Sequence, residues 1–486
     1  MKINIVGILN VLAIILLLNA GFMAVCVPFA AYFSDGTLAS WLWSVSMSAA
    51  AGGALFFLTN KKDVRKKIKK RDGYIIVTMS WFIMAFSGVL PYMLTGSIPD
   101  FTNAFFESIS GFTTTGATIL DNIEEMPHSI LLWRSLTQWI GGLGFIVLVI
   151  SILPSLGIGG MQLFLAEAPG ITADKLKPRI QDTAKRLWFL YIALTALEAI
   201  LLYFGGMSVF DAINHSLTTM STGGFSTMQD SIAAFDSRYT EYVITVFMFL
   251  GGTSFVLLYL ALQGKFARIW ANDEFKAYLG LLLLITFVVT CILIFKEGML
   301  LEEAFRLAVF QTVAIITTTG YATADFTFWG GAATIIFFTL MFTGGSAGST
   351  SGGVKIIRHL IIAKNSVIEF KRQLHLSAII PVRINGKPVP HEVTRNILAF
   401  VIIYLTIFGL SAVFLTLTGL DGATAMGSVA TSLGNVGPGL AGTGPSETFS
   451  GLPDFAKWTL GILMVVGRLE IFTVLIIFTP YFWRST

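Results

Sequence analysis

The sequence predicts an all-α membrane protein in which one unit of helix, half-helix, turn and helix is used four times around a shared axis, behind an extra helical hairpin. Three observations carry this. The chain's 486 residues are 55% hydrophobic and only 12% charged, with a mean hydropathy of +0.77, too little polar surface to cover a soluble domain of that size. Apolar runs reach the roughly 20 residues that cross a bilayer, namely Ile5–Tyr32, Leu38–Leu58, Gly73–Leu94, Leu131–Leu153, Trp188–Gly205, Tyr242–Leu262, Phe275–Phe295 and Ile397–Leu417, with Trp458–Phe482 of the same kind except for Arg468 and Glu470. Between them, a short amphipathic stretch ending in a Thr/Gly-rich turn recurs four times.

The hairpin comes first, in a segment 1–70 that includes a basic cytoplasmic loop. Its opening run follows a lysine but is too long for a signal peptide and lacks a small-residue cleavage site, so it reads as a retained helix. The second run leads into "KKDVRKKIKKRD" (Lys61–Asp72). Placing this block and Lys355–Arg395 in the cytoplasm fixes the orientation. Of 32 Lys/Arg, only Arg134, Arg238, Lys296, Arg306 and Lys457 then lie outside, with Arg468 inside the membrane. That is the positive-inside pattern, so the basic block is a topology signal and not a nucleic-acid surface. Most of the 28 Asp/Glu fall outside, with Glu198 and Glu470 in the membrane. A negative outer mouth concentrates cations.

Four repeats follow, over 71–160, 161–270, 271–375 and 376–486. Their turns read "FTNAFFESISGFTTTGAT", "VFDAINHSLTTMSTGGFST", "EEAFRLAVFQTVAIITTTGYAT" and "DGATAMGSVATSLGNVGPG", aligned on Gly116, Gly223, Gly320 and Gly434. Each half-helix is too short to span. It enters from outside and returns as irregular backbone, which membranes tolerate only inside protein or beside water. Four such turns on one axis can replace a cation's hydration shell with carbonyl oxygens. Glycine permits the positive φ this needs and threonine adds hydroxyls, while the half-helices point their negative ends at the axis. The candidate filter is Thr114, Thr115 and Gly116; Thr222 and Gly223; Thr318, Thr319 and Gly320; and Gly434, Asn435 and Val436.

After each turn the second helix carries small residues: "GGLGF", "GGTSF", "GGSAG" and "VGRLE". In two of these the small residues are few, which fits close helix passage. The third continues as "MFTGGSAGSTSGGVKIIR". Each glycine there disfavours helix by roughly 1 kcal/mol relative to alanine, so an intramembrane loop is expected on the cytoplasmic side of the filter, in the ion path. Its candidate gate residues are Gly344, Gly345, Ser346, Gly348, Ser349, Gly352 and Gly353. A phosphate loop is ruled out because Val354 separates Gly353 from Lys355 and no strand precedes it. Arg468, a charge within a spanning run, must face a cavity or a partner. It is expected beneath the filter, opposite this loop, where it raises the barrier to a passing cation.

At these residues the chain resembles the Trk/Ktr/HKT superfamily of potassium transport proteins, most closely its bacterial TrkH branch, over nearly its whole length. The resemblance implies a pseudo-fourfold pore within one chain, a homodimer with a pore in each protomer, a multi-pass location in the bacterial inner membrane, and a cytosolic nucleotide-binding regulatory subunit like TrkA. It implies that the Gly-rich loop gates, and that glycine at position 116 selects potassium, the transported ion, with no organic cofactor in this chain. The fourth turn, with Leu433 before Gly434, departs from Thr-Gly, so weaker discrimination among potassium, rubidium and sodium is expected. Basic stretches Lys175–Arg186 and Lys355–Arg395 are the surfaces available to the partner.

Two other classes compete with this one. A carrier with broken helices working by alternating access is the alternative, although such folds usually carry an inverted twofold repeat. An enzyme is disfavoured because His128, His215, His359, His375 and His391 are scattered and form no catalytic motif. Cys26 and Cys291 lie in separate apolar runs and imply neither a disulfide nor a metal site.

Overall fold

The computed structural model describes residues 3–60, 68–144, 180–375 and 380–484. Most of the basic block (61–67), the end of the first inner run with the 160/161 repeat boundary, and the basic stretch up to Arg179 lie outside the described residues. The 375/376 boundary falls at the edge of 376–379, which also lie outside them.

Helices Ile5–Phe33 and Leu38–Thr59 form the hairpin. Asparagines in the first helix bond to the two helices that follow it, Asn10 Nδ2 to Thr59 Oγ1 at 3.0 Å and Asn19 Nδ2 to Ser87 Oγ at 2.5 Å. Buried polar pairs of this kind fix helix contacts where lipid supplies no hydrophobic driving force. The outer helices of the four repeats are Lys70–Leu94, Ile180–Phe204, Asp273–Glu297 and His391–Leu417. Their C-terminal ends fall within two residues of the expected apolar runs, but their starts lie two to eight residues earlier, in the polar residues that precede each run.

The pore helices are Phe101–Phe112, Val209–Met220, Leu301–Ile316 and Gly422–Gly434. At 1.5 Å per residue none spans a hydrocarbon core of about 30 Å. Side-chain caps fix where three of them begin. Asp100 accepts from the Asn103 amide, Ser208 from Asp211, and Asp421 from Ala423 and Thr424, satisfying amides that a helix start leaves open.

The inner helices depart from expectation. The runs Leu131–Leu153, Tyr242–Leu262 and Trp458–Phe482 are not continuous helices. The first is helical over His128–Trp139, then widens at Ile140–Gly144, where Gly142 leaves helical geometry at ψ −131°. In the second, Arg238–Gly251 stops and Phe255–Leu262 restarts at an angle of 107°. The fourth breaks after Arg468 by the same 107° before Phe472. In the third, Gly331–Leu340 gives way to a loop that ends where Ile356–Leu374 begins. All four inner helices therefore yield at one level, and the small residues expected to let helices pass are places where helices stop.

One core cluster joins the hairpin to repeats 1 and 4, and a second joins repeats 2 and 3. A short antiparallel hairpin pairs Arg383–Ile384 with Lys387–Pro388. It is tied to the start of the third outer helix by the Asp273 amide donating to Asn385 Oδ1 at 2.7 Å.

Candidate functional site: a ring of four loops above a glycine-rich plug

Each pore helix ends by the same backbone move. The next residues flip into the left-handed region: Thr114 (φ 54°), Thr222 (54°), Thr318 (56°) and Asn435 (53°). One residue on, the amide turns back to a carbonyl in the last helical turn: Thr115 to Ser110 (2.9 Å), Gly223 to Thr218 (2.8 Å), Thr319 to Ala314 (2.8 Å) and Val436 to Thr431 (2.9 Å). This is the Schellman closure. The following residue is in every case a glycine of positive φ, Gly116 (82°), Gly224 (79°), Gly320 (77°) and Gly437 (109°).

The same glycines bring the loops together. A methyl group on Gly116 would overlap the carbonyl oxygen of Gly223, one on Gly224 that of Thr319, and one on Gly320 that of Val436. A methyl on Gly437 would stand 3.0 Å from the carbonyl oxygen of Thr115. Repeat 1 thus abuts 2, 2 abuts 3, 3 abuts 4 and 4 abuts 1. Four strands in cyclic contact enclose a common centre, and only backbone without Cβ can approach so closely. Three of the four flipped residues are β-branched threonines, a conformation that costs about 1–3 kcal/mol each and persists only where the surroundings impose it.

Beneath the ring, the loop from Met341 to Lys355 is held from repeats 2, 3 and 4, and is joined to repeat 1 through Arg468. Its Gly352 amide donates to Thr318 Oγ1 at 2.6 Å. Thr350 Oγ1 donates to the carbonyls of Met220 and Gly251, both at 3.1 Å, and the Ser346 amide to that of Gly252 at 2.9 Å. Arg468 reaches it from repeat 4, with Nη1 on the Thr350 carbonyl at 2.8 Å and Nη2 on the Gly141 carbonyl of repeat 1 at 2.7 Å. Glu274, at the start of the third outer helix, accepts from the Ala347 amide at 2.6 Å. Ser346 and Ser349–Gly352 are buried while Gly348 is exposed. Internal bonds stiffen the loop: Gly344 N to Val354 O at 2.9 Å, and Ser349 Oγ with Ser351 Oγ at 2.8 Å.

The profile of a family described as cation transport protein, TrkH, matches residues 43–301 and 284–484. The chain is 38% identical over 481 residues to the Trk system potassium uptake protein TrkH of Halomonas elongata, covering 98% of this chain and 99% of that one. It is 37% identical over 488 residues to the protein of the same name from Escherichia coli K12, covering 99% of each. The crystal structure of the potassium transporter TrkH from Vibrio parahaemolyticus matches with a TM-score of 0.89 at 35% identity, covering 100% of both chains. The chain belongs to the TrkH family of cation transport proteins.

Within this TrkH-family chain the ring corrects the predicted register. Gly116 and Gly320 are equivalent, but their counterparts are Gly224 and Gly437, one and three positions beyond Gly223 and Gly434. Gly223 instead supplies a ring carbonyl, with Thr115, Thr319 and Val436. Gly434 is the last residue of its helix, and Leu433 beside it is a buried core residue. The fourth turn is therefore Asn435-Val436-Gly437 against Thr114-Thr115-Gly116, a milder departure than Leu-Gly. Asn435 replaces threonine because asparagine also tolerates the left-handed flip. Thr114, Thr115, Thr222, Thr318, Thr319, Asn435 and Val436 stand at or beside the ring as expected. The third loop and Arg468 meet beneath it. Thr350 and Glu274 were missed, the first because no rule separates it from its Ser/Thr neighbours, the second because nothing in sequence links it to residue 347.

Proposed function

We propose that this chain conducts potassium ions into the bacterial cell across the inner membrane, selecting them at the four-loop ring and gating them at the Met341–Lys355 loop. What supports the reading is the cyclic contact of four glycine turns, in which the carbonyl oxygens of Thr115, Gly223, Thr319 and Val436 each lie against the ring glycine of a neighbouring repeat, at the C-terminal ends of four pore helices. Carbonyl oxygens replace the hydration shell of a cation, and the helix ends favour positive charge. The named relatives are potassium uptake proteins, and glycine rather than serine at position 116 is consistent with potassium.

The loop acts as the gate because it sits under the ring and is held by hydrogen bonds that can be exchanged, among them the two from Arg468. The guanidinium also places positive charge in the path, so leaving the closed state removes both a tether and an electrostatic barrier. The chain works as a homodimer in lipid with a cytosolic nucleotide-binding subunit resembling TrkA. The amphipathic helix Ile356–Leu374 begins where the gate loop ends, so a partner moving this helix pulls directly on the loop. Reconstitution into liposomes tests the function: purified protein should accumulate rubidium, more so with a TrkA-type subunit and its nucleotide, and uptake should be competed by potassium far better than by sodium. Rubidium uptake no greater than in empty liposomes under either condition overturns the proposal, and single-channel currents separate a pore from an alternating-access carrier.

A further inference from the structure

Registering the repeats on their flipped residues exposes a second set of equivalents. Seven positions before Thr114, Thr222, Thr318 and Asn435 stand Glu107, His215, Gln311 and Ser428. All four are buried. Each bonds the segment that follows its own ring glycine. Glu107 accepts from Thr118 Oγ1 and from the Ile119 amide, at 3.0 Å each. His215 Nε2 pairs with Ser226 Oγ at 3.0 Å, Gln311 Nε2 donates to the Ala324 carbonyl at 3.1 Å, and Ser428 Oγ pairs with Thr443 Oγ1 at 3.1 Å. Backbone that has no sheet partner must have its polar groups satisfied by side chains packed against it.

The four braces are unequal. Those of repeats 2, 3 and 4 use a His, an amide and a hydroxyl, whereas that of repeat 1 is an ion pair with both side chains at 1% exposure or less. Arg134, on the first inner helix, donates Nε to Glu107 Oε1 at 2.8 Å and Nη1 to the Ser226 carbonyl of repeat 2 at 3.0 Å, with its guanidinium 4.2 Å from the centre of the Phe225 ring. One turn on, Gln138 straddles the ring glycine Gly224, donating Nε2 to the Gly223 carbonyl at 2.7 Å and accepting from the Phe225 amide at 3.0 Å. A single helix face therefore holds the strands of repeats 1 and 2 at a fixed separation.

We propose that Glu107, Arg134 and Gln138 are positioning residues that set the selectivity of the ring from behind, by fixing the distance between the first two filter strands. The inference rests on the ring being the potassium filter. Charge-assisted bonds in a dry site are stronger than neutral ones and leave a buried charge exposed if broken, so the Glu107–Arg134 pair resists widening of the ring more than its neutral counterparts do. Neither side chain is placed on the ion path, so their loss changes which ion passes before it changes whether ions pass.

The test is the ratio of rubidium to sodium flux in liposomes carrying the full-length protein, wild type against E107Q and Q138L. E107Q keeps the shape and an acceptor for Thr118 but removes the charge, and a fall in the ratio of about tenfold is expected from the loss of a charged bond. Q138L is close in volume and loses two neutral bonds to strand 2; roughly a threefold fall is expected. Where E107Q does not accumulate as folded protein, Q138L alone decides. A ratio equal to wild type in a folded, conducting Q138L overturns the proposal. A wild-type protein that passes sodium as readily as rubidium overturns the filter reading instead, so the two failures are told apart.

Discussion

The ring and the layer beneath it are built from the same four repeats, yet they handle repetition in opposite ways. At the ring, unlike sequences give one backbone: Thr-Thr-Gly, Thr-Gly-Gly and Asn-Val-Gly share the left-handed flip, the return hydrogen bond and the positive-φ glycine. One layer down, all four inner helices break, but by a widened turn, two bends of 107° and a long loop. A site that must surround an ion with equivalent oxygens constrains every repeat equally. A plug has to come from one side, and the other repeats need only make room and offer hydrogen bonds.

The sharpest way to break this comparison is to test the register of the ring. Gly224→Ala drives a methyl into the Thr319 carbonyl and asks for alanine at positive φ, whereas Gly223→Ala meets a side chain, the amide of Gln138, and no backbone. Overpacking against backbone costs about 1–3 kcal/mol, and with the φ penalty added, rubidium uptake by G224A should fall by roughly a hundredfold. G223A should lose about tenfold or less, since a side chain can yield. Uptake failing more in G223A than in G224A would restore the register on Gly223 and undo the fourfold equivalence.

Much of the fold was legible because its signals are physical necessities of a bilayer. Runs of apolar residues locate the outer helices, and half-length segments ending in Thr/Gly locate the pore helices. What was not legible is instructive. The glycine pair at 223–224 offers two registers, and only backbone geometry picks the second. Asn435 hides a threonine-equivalent because its kinship is conformational, a tolerance for positive φ, rather than chemical. The helix breaks after Gly251 and Arg468 were concealed because an apolar run resumes beyond each of them, and hydropathy measures length through lipid and is blind to a bend. Residues 470 and 471 show this well: Glu470 and Ile471 both sit at φ 55°, a conformation that no propensity scale assigns to isoleucine.

That strained turn joins two tethers of the gate loop, and their removal ranks next in size. Arg468→Ala deletes two charge-assisted bonds, each worth about 1.5–3 kcal/mol; if part of that energy distinguishes closed from open, steady rubidium flux should rise by roughly tenfold. Unchanged flux would leave Arg468 a helix lock and nothing more. Deleting Gly345–Gly352 should raise flux in the same direction. Glu470, two residues on, pairs with Arg358 just past the end of the loop, while the Arg358 guanidinium also lies 3.9 Å from the centre of the Phe400 ring. Glu470→Gln keeps the shape and a hydrogen bond and weakens only the charge pairing, so a rise of roughly fivefold follows if about 1 kcal/mol of it distinguishes closed from open.

The smallest effect expected is the one that asks why the ring tolerates strain. Thr222 is β-branched at φ 54°, while repeat 4 carries asparagine at the equivalent position with φ 53°. If the left-handed flip is imposed by the ring and disfavoured by threonine itself, Thr222→Asn should raise the melting temperature of the purified protein slightly, by the equivalent of about 1 kcal/mol. The rubidium-to-sodium ratio should stay near wild type, since the ring carbonyls come from the neighbouring residues. A lower melting temperature would mean that the Thr222 hydroxyl, which donates to the Ser221 carbonyl at 2.7 Å, outweighs the strain of its own backbone. Asparagine in repeat 4 would then be a local compromise with its bonds to Thr115 Oγ1 and the Met464 carbonyl, and not a relaxed version of the same turn.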